Sequence, residues 1–104
     1  MLIAGNYKTY VLDLINTAHD ELELNDVVGS EYEVRIQVVK KSDKSPISGV
    51  CFLATSPTST EAANNEDLLL DSNQHQFEFG RGLNRLSFYN GTGVEVLITI
   101  AVLF

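Results

Sequence analysis

The sequence predicts an all-β chain, a small antiparallel β-sandwich or jelly-roll-like domain of six to eight strands. Three observations lead there. Short segments alternate apolar and polar residues with a period of two. Turn-forming residues interrupt them every eight to twelve residues or so, the spacing of a sandwich or barrel. No segment repeats apolar residues at helical spacing, which disfavours a parallel sheet of alternating strands and helices. A closed barrel is the main alternative.

Taken in order, Lys8 to Ile15 is the first strand, with Tyr10, Leu12 and Leu14 on one face and Thr9, Val11 and Asp13 on the other. Asn16 to Asp20 reads as a bend, and Glu21 to Leu24 as a short alternating piece. Glu31 to Lys40 is the clearest two-faced strand, with Tyr32, Val34, Ile36 and Val38 inward. Lys41 to Pro46 is a polar turn, since proline cannot donate to a sheet ladder. Ile47 to Ala54 follows, with Gly49 as a candidate bulge. Residues 55–67 form a long polar loop, a length that is uncommon in compact domains without a function. A helical turn is an option over Glu61 to Leu69. Gln74 to Phe79 alternates again, with His75, Phe77 and Phe79 on one side.

The last segment reads as a hairpin: Leu86 and Phe88, a turn at Asn90-Gly91-Thr92-Gly93, then a strand to Phe104. Asn-Gly favours such turns because both residues tolerate positive φ. The final strand alternates Val94, Val96, Ile98, Ile100, Val102 and Phe104 against Glu95, Leu97, Thr99, Ala101 and Leu103. Its second half is therefore apolar on both faces, and a large exposed apolar patch marks an interaction surface. The expected oligomer or partner interface is Leu97, Ala101, Leu103 and Phe104, together with Met1, Leu2 and Ile3.

Composition bounds the function. At 104 residues the chain is one domain, residues 1–104. The net charge of −7 argues against nonspecific nucleic-acid binding, which depends on Lys and Arg neutralising phosphates. It argues equally against an anionic membrane surface. The N-terminus lacks the basic start and longer apolar run of a secretion signal. A single cysteine, Cys51, cannot form an internal disulfide and reads as a buried thiol in an apolar strand.

Chemistry is sparse. His19 and His75 are the only histidines, the first read as a solvated imidazole in an acidic bend and the second as a partly buried structural residue, and no Gly-x-Ser-x-Gly turn presents a nucleophile. Zinc needs three or four Cys or His ligands, and the chain has three such residues, far apart in sequence. Asn64 to Asp67 with Asp71 is oxygen-rich but lacks the spacing of a calcium loop. No cofactor, metal or catalytic residue is expected, and the chain is read as non-enzymatic. Arg85 and Tyr89, neighbours on an alternating strand, are the candidate ligand or partner contacts.

Leu86-Ser87-Phe88-Tyr89-Asn90-Gly91-Thr92-Gly93-Val94-Glu95-Val96 resembles hairpins in small β-sandwich accessory proteins of tailed bacteriophage virions. The resemblance covers roughly the last forty residues and transfers no functional residue. It implies a capsid decoration or cement protein on the head exterior, located in the virion after assembly in the host cytoplasm. The implied partners are copies of itself, as a trimer or ring, and a major capsid protein or another virion protein, without nucleic acid or membrane. The alternative is a carbohydrate- or receptor-binding β-sandwich module using Arg85, Tyr89 and the 55–67 loop.

Overall fold

The computed structural model describes residues 5–24, 31–56, 61–64, 68–80 and 82–104. Its strands are β1 (Tyr7–Leu14), β2 (His19–Glu23), β3 (Glu31–Lys40), β4 (Val50–Thr55), β5 (Leu68–Leu70), β6 (His75–Gly80), β7 (Arg85–Asn90) and β8 (Val96–Leu103). They form two antiparallel sheets of four. Sheet A has the order β1-β8-β3-β6 and sheet B the order β2-β7-β4-β5. Strand β1 pairs with β8, β2 with β7, β3 with β6 and β4 with β5, so the chain is one long hairpin nested on itself. Further pairing of β3 with β8 and β4 with β7 rolls that hairpin into two layers. This is the jelly roll, an all-β sandwich as the alternation predicts.

Alternation explains the core. In β3, Tyr32, Val34, Ile36 and Val38 are fully buried, and in β8 so are Val96, Ile98, Ile100 and Val102. The register sets Val34 against Val102, Ile36 against Ile100 and Val38 against Ile98, which makes one continuous apolar surface. Sheet B answers with Val50, Phe52, Leu70, Leu86 and Phe88. Phe52 lies at the centre, 5.2 Å from the Phe77 ring of sheet A and 5.2 Å from the Phe88 ring of its own sheet. Each such side chain contributes about 1.5–3 kcal/mol on burial. Tyr32 keeps its polar end satisfied by donating its hydroxyl to the Leu83 carbonyl, and burial raises the phenol's pKa so that it stays neutral.

Three expectations change. The terminal hairpin is not one: β7 belongs to sheet B and β8 to sheet A, so residues 91–95 carry the chain across the sandwich. Asn90 is there for its side chain rather than for positive φ, which it does not adopt. Its buried amide donates to the carbonyls of Leu14, Ile15 and Val94, clamping the β1–β2 and β7–β8 corners together. Thr92 closes the clamp by donating its hydroxyl to Asn90 Oδ1. Second, Leu68–Leu70 is a strand, and Glu61–Asn64 is not helical. Third, His19 opens β2 instead of lying in a bend. Gly49 does mark a break before β4: its φ is +116°, where side chains are strained, and its carbonyl accepts from the Gly91 N–H.

Candidate interaction surfaces

Each sheet has an inner face in the core and an outer face, and the two outer faces differ. On sheet B the outward positions of β7 are Arg85, Ser87 and Tyr89, between the core residues Leu86, Phe88 and Asn90. Ser87 and Arg85 are nevertheless buried. Residues 61–64 run over them as a strap. The Ala63 N–H donates to Ser87 Oγ at 2.8 Å, and Arg85 Nη2 donates to the Glu61 carbonyl at 2.9 Å. Arg85 Nε also donates to Thr55 Oγ1 and lies 3.7 Å from Glu21 Oε2. Arg85 thus holds the polar loop onto the sheet, and its guanidinium is not presented to a ligand. Tyr89 is half-buried, its ring 4.6 Å from that of His19 across the β2–β7 ladder. Cys51 also lies on this outer side, opposite Tyr89 and Leu69, and is buried as expected.

Among the described residues no comparable strap lies over sheet A. Its outer face carries Leu97, Ala101 and Leu103 of β8, each partly exposed, between the outward residues of β1 and β3. These are the expected interface positions, and the structure brings them onto one surface. Phe104 departs from that expectation. It turns inward and packs against the core, because it continues the inward series of Ile100 and Val102. Met1, Leu2 and Ile3 lie outside the described residues.

Beside Leu103 the face dips into a shallow depression of about 410 Å³ lined by Gly5, Asn6, Tyr7, Arg35, Gln74, Ala101 and Leu103. Arg35 Nε donates to Glu33 Oε2 at 3.0 Å, and Gln76 donates to the other oxygen of that carboxylate. Glu33 is thereby satisfied although buried. At the far end of the face Lys41 bridges Asp13 and Glu95, and the Asp13 hydrogen bond is the main cause of the lysine's raised pKa.

The described residues hold no group of three or more His, Cys, Asp or Glu placed to bind a metal. The calcium-like patch falls largely on residues 65–67, outside the description. His75 sits against Asp71, its Nε2 2.9 Å from Oδ1, at the β5–β6 corner. The adjacent Ser72 hydroxyl is occupied structurally: it donates to the Val38 carbonyl and accepts from the Ile47 N–H.

No protein-family model matches this chain, and neither a curated protein nor a solved structure resembles it significantly.

The sequence reading missed the strap and the Asn90 clamp. Ser87 and Arg85 look like solvent-facing residues in an alternating pattern, and only the loop's path makes them internal. The clamp carried a signal, an Asn-Gly pair, that fits a tight turn equally well.

Proposed function

We propose that this chain is a non-enzymatic structural protein of a virus particle, of the capsid decoration or cement kind. It works by holding a major capsid protein or another virion protein against the outer face of sheet A. The observation that carries this reading is the set of apolar residues Leu97, Ala101 and Leu103 on either side of the exposed Thr99, over which no described element packs. Jelly rolls serve both capsids and lectins, so the fold supports the reading without choosing it. The choice comes from the sites. Arg85, one of the two residues the lectin alternative relied on, is engaged by the strap, while the assembly face stands open.

The test is co-sedimentation with virus particles purified from cells that carry the gene. The chain is expected in the particle band, and Ala101→Glu, which puts a charge on the face without touching the core, is expected to leave it. Absence of the native chain from particles would overturn the virion role.

One observation keeps a second reading. The depression on sheet A combines the Tyr7 ring with the amides of Asn6 and Gln74 and the Arg35 guanidinium, groups that suit a sugar. A glycan site would then lie at Tyr7 and Arg35 rather than at Arg85 and Tyr89. Glycan-array binding lost in Tyr7→Ala would establish it, and a silent array would remove it.

A further inference from the structure

Four strands form the edges of the two sheets: β1 and β6 in sheet A, β2 and β5 in sheet B. An edge exposes unpaired backbone N–H and C=O groups, and proteins blunt it with charge, brevity, proline or bulges. Three of these edges are blunted. β5 has three residues, β2 carries exposed Asp20, Glu21 and Glu23, and β6 alternates Gln76 and Glu78 and ends in Gly80. β1 is different. It is eight residues long, contains no proline, pairs one-to-one with β8 throughout so that no bulge bends it, and carries charge only at Lys8 and Asp13, with Thr9 to Leu12 uncharged between them. It also bears the two most exposed large hydrophobic side chains of the described strands, Tyr7 at 75% and Val11 at 60%.

The hydrogen-bond phase tells which groups face outward. Asn6 and Phe104 exchange both backbone bonds, at 2.9 and 3.0 Å. Reciprocal pairs alternate along an antiparallel ladder. Lys8, Tyr10, Leu12 and Leu14 therefore bond to β8, while the N–H and C=O groups of Tyr7, Thr9, Val11 and Asp13 point to the open edge.

We infer that β1 pairs antiparallel with β1 of a second copy, about a two-fold axis at Thr9, joining two A sheets into one continuous sheet. The sequence selects this register. Centred on Thr9, the pairing sets Tyr7 against Val11 of the other copy and Thr9 against itself, all on the outer face. Aromatic–β-branched and Thr–Thr pairs are favourable cross-strand combinations. On the inner side Lys8 meets the other copy's Tyr10, a cation–ring contact that each copy already makes within itself at 5.4 Å. Moving the centre to Tyr10 would oppose Tyr7 and Asp13, and moving it to Val11 would oppose Thr9 and Asp13; both lose the Tyr–Val and Thr–Thr pairs. Asp20, Glu21 and Glu23 of the neighbouring β2 edge approach their counterparts across the axis and repel. Association should therefore tighten as salt rises.

The inference does not depend on the virion role, since it concerns the edge and not the face. The experiment is sedimentation of the native chain from about 1 to 200 µM, the range where weak dimers form, with hydrogen exchange at both ends. A dimer is expected, with the amides of Tyr7, Thr9 and Val11 protected only when concentrated and those of Lys8, Tyr10 and Leu12 protected throughout. Thr9→Pro removes an outward N–H that β8 does not use, and should weaken the dimer by ~10-fold or more. Val11→Lys should do the same at an exposed side chain. A native chain that stays monomeric, or forms a trimer or ring without edge protection, would overturn the inference. So would a dimer unchanged by both variants. Ala101→Glu, which disturbs only the face, is expected to leave it intact.

Discussion

On sheet B, Arg85 and Ser87 point away from the core and are still buried, whereas the outward residues of β8 on sheet A, Ala101 and Leu103, keep part of their surface in water. At these positions the covered residues are polar and the partly open ones apolar, with the exposed Thr99 standing between Leu97 and Ala101. The physical cause is the strap. A loop segment brings its own backbone donors and acceptors, which must be satisfied wherever they are buried. A serine hydroxyl and a guanidinium can satisfy them, and leucine cannot. Arg85 and Ser87 on sheet B are polar because a loop segment lies on them. Among the described residues no loop lies over Leu97, Ala101 and Leu103, so no such donors and acceptors have to be met there.

This contrast can be broken most strongly at Arg85. Arg85→Ala removes the partner of Thr55, the Glu61 carbonyl and Glu21, and should cost about 3 kcal/mol, since bonds to charged groups are each worth about 1.5–3 kcal/mol. Urea unfolding measures the loss, and proteolysis near residues 56–64 should speed up. A change as small as that of an ordinary surface substitution would mean that the strap is not held by Arg85. Ser87→Ala comes next, leaving the Ala63 N–H without its acceptor at a cost of about 1–2 kcal/mol. The same measurement on sheet A should find little: Leu97→Ser and Ala101→Ser should each stay within about 0.5 kcal/mol of the native chain, as surface changes do. A larger loss at either position would mean that something covers the face within the monomer.

The smallest effect belongs to the corner between the sheets. The Asn73 N–H, and then His75, lower the pKa of the Asp71 carboxyl. A group with a depressed folded pKa contributes stability above its unfolded value, about 3.9, and loses it as pH falls through the folded one. Native chain and Asp71→Asn should differ in urea stability near pH 6 and converge at strongly acidic pH. A difference that persists in acid would locate the aspartate's role elsewhere.

Much of this contrast was half legible in the sequence. Alternation placed Tyr32, Val34, Ile36 and Val38 inward, and it correctly put Leu97, Ala101 and Leu103 on the opposite side of β8 from Ile98 and Ile100. It assigns a side, but it does not say what lies over that side. For that reason Arg85 read as a contact residue when it is an internal clamp, and the polar loop read as part of a binding site although residues 61–64 bond to the sheet. Strand partners were also beyond reach. Leu86 to Val96 has the local chemistry of a hairpin, and only the long-range pairing of β7 with β2 and of β8 with β1 separates it into two layers. Leu68-Leu69-Leu70, apolar after a polar run, was the available signal for β5.

The nested pairing also sets a timetable. Phe52 pairs with Leu68, Ile36 with His75, Glu23 with Arg85 and Leu14 with Val96, so each outer pair closes a longer loop than the one inside it. Closing long loops costs entropy before contacts reward it, and folds dominated by such contacts form in milliseconds to seconds. The chain should zip from β4–β5 outward, with β1 docking onto β8 last. Substitutions in β1 would then act mainly on the unfolding rate, and those around Phe52 on the folding rate. During synthesis the first strand made would be the last to find its place, waiting for a partner that is almost the last segment of this sequence to emerge.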